Sequence, residues 1–282
     1  MEESMLRKRM HFYWGNRTMS FLRYMSLHSF SKLNPDWETV LIRRRNPFVP
    51  KHHAWNEKPD FLYFKGMDHS KMLGNLDIDI VYLEDKYPDM AKMEIPELHM
   101  GDLVQWCVMS EDGGVFSDTD VLFFRPLDHK RFRSVDVGLV QFLGNPKPGY
   151  IPTTFMLGQP NGFFRRMYDD TMDHGDHISW EGYGEEMIGG SFGSVIAVQR
   201  SFPDLNVVRL PSRIVFPFAE TEKMFVEYAN LMFYQNIKMP KESVGIHWYG
   251  SGTIAQHFNN EITRDNYSSF NSTICRLVGE TL

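Results

Sequence analysis

The stretch GGVFSDTDVLFFRPLD, residues 113–128, decides the fold class and the chemistry expected of this chain. Paired glycines precede a short apolar strand, two aspartates one residue apart and a second apolar strand. Alternate side chains of an extended chain share a face, so Asp118 and Asp120 should point the same way and Thr119 the other. Two adjacent carboxylates repel each other unless a cation neutralises them, and Mg²⁺ or Mn²⁺ suits oxygen ligands. Such an ion also binds a diphosphate and stabilises it as a leaving group.

The segments on both sides of this stretch predict an α/β domain. The helix before it runs from Pro96 to Ser110 and ends at Gly113-Gly114, where glycine permits a tight turn and a close approach of backbone to ligand. The first helix is capped by Asn16 or Thr18 and ends at about Leu33. Short strands are predicted at Met10–Trp14, Thr39–Ile42, Val115–Ser117, Val121–Phe124, Val137–Leu143 and Phe155–Leu157, near Val207–Leu210 and near Val244–Trp248, with a helix after Pro160. This order predicts a mixed central sheet flanked by helices.

Composition excludes several classes of protein. Hydrophobic residues make up 42% of the 282 residues, which is enough for a core and excludes wholesale disorder. The net charge of −6 disfavours stable nucleic-acid binding, which depends on Lys and Arg. The 2 cysteines exclude a disulfide framework. No apolar run approaches the roughly 18 residues of a membrane span, and the N-terminus lacks a signal-peptide pattern, so we expect a soluble, cytoplasmic protein without a transmembrane segment.

The aspartate pair alone also suits a second chemistry. In a phosphatase of the haloacid-dehalogenase type, Asp118 would be the nucleophile and Asp120 the general acid and base. That motif usually opens its fold, whereas about 110 residues precede it here. The glycine pair before the strand also favours a transferase, but the phosphatase stays as an alternative.

The motif closely resembles the Asp-x-Asp segment of glycosyltransferase family 32 and related sugar-transferring enzymes. This group includes yeast mannosyltransferases, α-1,4-galactosyltransferases and capsular-polysaccharide transferases, and clostridial glucosylating toxins are more distant relatives. MHFYWG at 10–15 resembles their first strand, NPDW at 34–37 the turn before their second strand, and GDLVQW at 101–106 the helix before the glycine pair. The resemblance covers most of residues 10–128. It implies a GT-A (Rossmann-like) fold, a nucleotide-sugar donor, a divalent metal and usually retention of anomeric configuration.

The resemblance also implies roles for the acidic residues. Asp120 would be the direct metal ligand, and Asp118 would contact the ribose or sugar and the metal shell. Asp102 would accept hydrogen bonds from donor-sugar hydroxyls. The family has an arginine where this chain has Gln105, which keeps hydrogen-bonding capacity beside the sugar but removes a fixed cation.

Further nucleotide contacts are implied at the first strand and at the glycine turn. Trp14 would stack on the nucleobase, although a core tryptophan would have the same sequence environment. Tyr13 and Gly15 on either side of it are candidate nucleotide contacts, as is Gly114.

A late segment, residues 243–252, completes the candidate site. His247 would be an additional metal ligand, by analogy with the late histidine of GT-A enzymes, although a core histidine is the alternative. Trp248 and Ser251 would cover the diphosphate. The glycine-rich stretch at residues 181–190 is interpreted as an acceptor lid.

The leading hypothesis is a single GT-A catalytic domain over 1–282, with a nucleotide-sugar and metal half at 10–128 and an acceptor-side half at 129–282. It would move a hexose from a UDP-sugar, or from GDP-mannose, to a glycan, lipid-linked or other glycoconjugate acceptor. By analogy with the family, the reaction would belong to polysaccharide biosynthesis. A catalytically silent nucleotide-sugar-binding module is the third hypothesis, kept open by Gln105.

Overall fold

A computed structural model describes residues 6–15, 18–46, 64–140, 151–173, 199–218 and 225–282 of the chain. The strands in this part of the chain are β1 Arg9–Tyr13, β2 Glu38–Arg43, β3 Asp79–Tyr82, β4 Gly114–Ser117, β5 Val121–Phe123, β6 Val137–Val140, β7 Phe155–Gly158, β8 Val207–Leu210 and β9 Gly245–His247. The helices are α1 Phe21–Leu33, α2 Leu83–Lys86, α3 Pro88–Ala91, α4 Glu97–Glu111, α5 Gly162–Asp173, α6 Phe225–Phe233, α7 Thr253–Glu261 and α8 Thr273–Thr281.

Seven strands form one mixed sheet in the order β3-β2-β1-β4-β7-β6-β8. Strands β1 to β4 are mutually parallel, and β7 runs antiparallel to both β4 and β6. Strands β5 and β9 form a separate antiparallel pair. The Asp-x-Asp turn lies between β4 and β5, where the chain leaves the large sheet for the small one. The predicted α/β class with a mixed central sheet and flanking helices is confirmed.

Each face of the sheet has its own hydrophobic core. Successive side chains of β1 point to opposite faces and so pack alternately into the two cores. Met10 and Phe12 lie in the core that contains α1 and the C-terminal helices. Tyr13 lies in the core that contains α4 and α5. The period of two along a strand therefore sends neighbouring aromatic residues to opposite faces. Trp14 follows on the α1 side, where it packs partly buried against the first core.

Several predicted boundaries are wrong. Ser20 caps α1, because its hydroxyl accepts from the Arg23 amide, so neither Asn16 nor Thr18 is the cap. Pro96 is the N-cap of its helix and not a residue of the first turn. The strand predicted to reach Leu143 is described to Val140, and residues 141–143 lie outside the described part. Strand β3 and helices α2, α3 and α6 to α8 were not predicted; all six elements have nine residues or fewer, where periodicity is a weak signal.

The glycine pair forms the turn between α4 and β4. Gly113 and Gly114 have φ angles of 62° and 95°, in the region that favours glycine. A methyl group added at Gly114 would lie 2.4 Å from the carbonyl oxygen of Arg9 in β1. The close approach seen at Gly114 is therefore to the chain's own backbone.

We expect Gly114→Ala to destabilise the protein by at least about 2 kcal/mol, because alanine combines an unfavourable φ with a backbone clash. Chemical denaturation at constant pH measures this. Gly74→Ala is the control, since a methyl group there meets no heavy atom within 4 Å. Equal stability of the two variants would show that the turn tolerates a side chain.

Candidate active site

Two strands bring an aspartate pair and a histidine together at the end of the sheet. Asp118 and Asp120 flank the turn between β4 and β5, in which the Val121 amide donates to the Asp118 carbonyl at 3.3 Å. Residues 118–120 therefore form a turn and not the predicted extended segment. In the β5–β9 register Val121 lies opposite His247, which places the imidazole beside Asp120. One ligand atom from each of Asp118, Asp120 and His247 lies within 4.8 Å of the others.

Asp120 is the most firmly held of the three side chains. One of its oxygens lies 3.2 Å from His247 Nε2, and the other accepts from the Gly250 amide at 2.8 Å. The Trp248 amide donates to the Asp120 carbonyl at 2.9 Å. Asp120 thus joins the motif to the segment that follows β9.

The two carboxyl groups have opposite electrostatic environments. Burial and the charge of Asp120 raise the pKa of Asp118 to about 6. Burial alone would also raise the pKa of Asp120, but the His247 imidazole, the Arg23 guanidinium and the Gly250 amide hold it below its usual range. Asp120 is therefore the permanently charged member of the pair.

The donor atoms of this cluster fit a divalent cation. Two carboxylates and one imidazole offer oxygen and nitrogen ligands of the kind that Mn²⁺ accepts, and the repulsion that raises the pKa of Asp118 would be relieved by a positive ion. Residues Asp118, Asp120 and His247 would hold the ion. The imidazole is itself fixed by aromatic neighbours, with the rings of Tyr249 and Phe216 at 4.2 and 5.3 Å.

Helix α4 presents a third carboxyl group, that of Asp102, near the aspartate pair. Asp102 is buried, and its only hydrogen bond among the described residues is from the Thr153 hydroxyl at 3.4 Å. Its other carboxyl oxygen, Oδ2, has no partner there. Burial and the negative charge of Asp118 raise the pKa of Asp102 well above its usual range. A buried carboxyl group with an unused oxygen is costly, and such groups cluster at functional sites.

Gln105 lies three residues further along α4 and is almost fully buried. Its amide donates to the Thr153 carbonyl at 2.7 Å. Thr154, the next residue, accepts from the Asp118 amide at 2.9 Å through its carbonyl. Gln105 therefore fastens α4 to the segment that supports Asp118. A contact between Gln105 and the donor stays a prediction.

The predicted nucleotide contacts at the end of β1 fall on different sides of the sheet. Trp14 is half-buried, with the Arg23 guanidinium 4.5 Å from its ring centre. Tyr13 is buried on the α4 side, where its hydroxyl donates to Glu97. A methyl group at Gly15 would collide with the same Glu97 carboxylate. Base stacking by Trp14, and ligand contacts by Tyr13, Gly15 and Gly114, stay predictions.

The segment after β9 closes over the motif. Trp248 is fully buried, and its indole Nε1 has no hydrogen-bond partner among the described residues. Tyr249 has a φ of 51°, which is unusual for a tyrosine and marks a tightly determined backbone. Ser251 is exposed. The acceptor lid predicted at residues 181–190 lies outside the described residues.

One residue of the site was not predicted. Arg23 on α1 is 5% exposed, and its Nη1 donates to Thr119 Oγ1 at 2.7 Å. The middle residue of Asp-x-Asp is thus held by a cation that lies almost one hundred residues earlier in the chain. A helical arginine between apolar neighbours gives no sequence signal of such a contact.

Sequence comparison finds one family model that matches the region around the motif. Residues 23–135 match the family model described as "Glycosyltransferase sugar-binding region containing DXD motif". The resemblance recognised from the motif is confirmed, because the chain carries a region that matches this glycosyltransferase family model. In particular, the matched region includes Asp102, Gln105 and both aspartates of the pair, so it is the DXD-containing sugar-binding region that this chain carries. No curated protein sequence matches the chain.

Solved structures of glycosyltransferases are similar to the chain at low identity. The galactosyltransferase LgtC in complex with donor and acceptor sugar analogs is 14% identical, with 97% of this chain and 96% of that chain covered and a TM-score of 0.45. The PaToxG glycosyltransferase is 13% identical, with 61% of each chain covered and a TM-score of 0.41. The catalytic domain of alpha-toxin from Clostridium novyi is 10% identical, with 61% and 59% covered and a TM-score of 0.39. The chain spans about three fifths of the length of each of the last two structures.

Among the described residues no helix is both long and apolar enough to cross a membrane. The cytoplasmic location stays a prediction.

Proposed function

We propose that the protein transfers a hexose from a nucleoside-diphosphate sugar, in the first place a UDP-sugar, to a hydroxyl group of a glycan or glycoconjugate. The reaction uses Mn²⁺ or Mg²⁺ and retains the anomeric configuration. The observation that carries this proposal is the Asp118–Asp120–His247 cluster, whose two aspartates lie in the matched sugar-binding region. A divalent ion there would offset the charge of the leaving nucleoside diphosphate.

The chain's own residues have separate tasks in this proposal. Asp120 is charged, accepts a hydrogen bond from the Gly250 amide and would bind the cation. Asp102 offers its unpartnered oxygen to donor-sugar hydroxyls. The Trp248 indole supplies an N–H donor to the diphosphate, which would satisfy its unpaired Nε1. In the described part of the site, no carboxylate besides Asp102, Asp118 and Asp120 stands out as a nucleophile. We therefore favour front-face attack by the acceptor hydroxyl over a covalent intermediate.

The single-domain assignment is part of the proposal. His247 and Trp248 come from the half at 129–282 and reach Asp120 of the half at 10–128, so both halves contribute to the donor site. The acceptor would be a polysaccharide, lipid-linked or related glycoconjugate precursor, as the resemblance implies.

A panel of sugar-nucleotides tests the proposal. Each of UDP-glucose, UDP-galactose, UDP-N-acetylglucosamine and GDP-mannose is incubated with the protein in Mn²⁺, Mg²⁺ or EDTA, and released nucleoside diphosphate is measured by chromatography. We expect release from one donor that depends on the metal, since transferases slowly pass the sugar to water. Binding of a donor without release over long incubation would favour the silent binding module, and release of inorganic phosphate from phosphomonoesters would favour the phosphatase.

Trp14 provides a test of the base-binding side. We expect Trp14→Ala to weaken UDP binding by about 1–3 kcal/mol, as base–aromatic stacks do, with little loss of melting temperature. Isothermal titration calorimetry and a thermal melt measure the two quantities. Trp14→Phe is the matched control, because it keeps a stacking ring. A large fall in melting temperature with unchanged affinity of the folded fraction would make Trp14 a core residue.

A further inference from the structure

Arg23 lies at the centre of the candidate site, although its helix α1 comes almost one hundred residues before the Asp-x-Asp motif in the sequence. Its guanidinium carbon is 4.5 Å from the centre of the Trp14 ring and 5.3 Å from that of Trp248. Its Nη1 donates to Thr119 Oγ1. One planar cation therefore contacts the end of β1, the Asp-x-Asp turn and the segment after β9.

The same guanidinium lies beside the carboxylate of Asp120. A methyl group added at Gly250 would lie 2.5 Å from Arg23 Nη2 and 3.1 Å from Asp120 Oδ2, so both atoms border the same small space. Charges this close and this well buried interact strongly, because little water screens them. Arginine suits such a position, since it stays charged and stacks on aromatic faces.

Helix α4, where the related enzymes are expected to hold an arginine, has the neutral Gln105. The Gln105 amide is neutral and donates to the Thr153 carbonyl, so it supplies no charge to the site. Arg23 approaches the aspartate pair from α1, on the other face of the sheet. The fixed positive charge of this site therefore comes from a different element.

We infer that Arg23 is a positioning residue of the donor site, a fixed cation that holds the Trp14 ring and the Asp-x-Asp turn in place for a metal-bound nucleoside diphosphate. This inference rests on the proposed function. Arg23 acts through Trp14, Thr119 and Asp120, and no contact with the donor is required. Arg23 weakens the binding of a bare metal ion, because it repels positive charge. It strengthens the binding of the metal–nucleotide complex, because it orders the groups that bind the nucleotide.

The two effects have opposite signs, which distinguishes this role from a merely structural one. With Arg23→Gln we expect bare Mn²⁺ to bind at least about threefold more tightly, since a neighbouring cation is removed. We expect UDP to bind about tenfold more weakly in saturating Mn²⁺, since Trp14 and the turn lose their common support. Arg23→Lys keeps the charge but not the planar stack, so it should restore the bare-metal affinity and not the UDP affinity.

The experiment titrates the full-length protein with Mn²⁺ alone, followed by electron paramagnetic resonance of the free ion, and then with UDP at saturating Mn²⁺ by calorimetry. Arg166→Gln is the control, because that side chain is 60% exposed and pairs with Asp170 on the surface. Melting temperatures are recorded for all variants.

Tighter Mn²⁺ and weaker UDP binding by Arg23→Gln supports the inference. Equal weakening of both, in step with a lower melting temperature, or no change in either, overturns it. If the wild-type protein binds no UDP or GDP in Mn²⁺, the proposed function fails, while the bare Mn²⁺ titration still decides whether Arg23 acts as a cation on the aspartate pair.

Discussion

Asp120→Ala should abolish detectable sugar transfer, a loss of at least about 10³-fold, and should remove the dependence of UDP binding on Mn²⁺. Asp120 is the permanently charged carboxylate of the cluster and lies within 3.2 Å of His247. Solvent cannot replace it, because its two oxygens are also fixed by the Gly250 amide and the imidazole. Donor turnover and calorimetry with and without Mn²⁺ measure the effects.

Two further variants separate chemistry from folding at this position. Asp120→Asn keeps an oxygen for the Gly250 amide and should fold, yet it should lose most of the transfer because the charge is gone. Asp89→Ala is the control for removing a carboxylate, since the Asp89 side chain is 96% exposed. Turnover by Asp120→Ala within tenfold of wild type in Mn²⁺ would refute the assignment of Asp120 as a metal ligand.

Asp102→Ala should lower donor turnover by about 10²–10³-fold while UDP affinity stays within about threefold of wild type. The reason is that, in the proposed function, Asp102 contacts the donor sugar and not the nucleotide. We also expect its melting temperature to stay equal or rise, because the change removes a buried carboxyl group that has an unpartnered oxygen. Single-turnover kinetics, UDP calorimetry and thermal melts test the three parts.

Gln105→Ala on the same helix is the matched comparison. It removes the bond to the Thr153 carbonyl, so we expect a lower melting temperature and a milder loss of turnover. If Asp102→Ala instead weakens UDP and UDP-sugar equally and leaves turnover unchanged, α4 is a scaffold and its acidic residue has no role in sugar recognition.

The parts of the site that are close in sequence could be predicted from sequence. Asp118 and Asp120 lie next to a glycine pair and two apolar strands, and a local pattern of this kind indicates both the turn and its chemistry. The predicted reason for their proximity was nevertheless wrong, because a turn and not an extended strand brings them together. His247 required the family resemblance, since its position depends on the pairing of β5 with β9 across more than one hundred residues.

Contacts between distant elements could not be predicted. Arg23 and Thr119 meet because α1 packs under the β5 strand, and nothing in the helical pattern around Arg23 indicates a buried cation. The role of Thr153 as the partner of both Asp102 and Gln105 likewise depends on how β7 joins the sheet. Metal-dependent binding of a nucleoside diphosphate at this site therefore depends on these tertiary contacts as well as on the motif.

The decisive measurement is a calorimetric titration of UDP into the 282-residue protein, once with Mn²⁺ in molar excess over the nucleotide and once with EDTA. We expect saturable binding in Mn²⁺ and binding at least about tenfold weaker in EDTA, because the aspartate pair repels the diphosphate unless a cation lies between them. Equal UDP affinity in both buffers, or no binding of UDP or GDP in Mn²⁺, would contradict it.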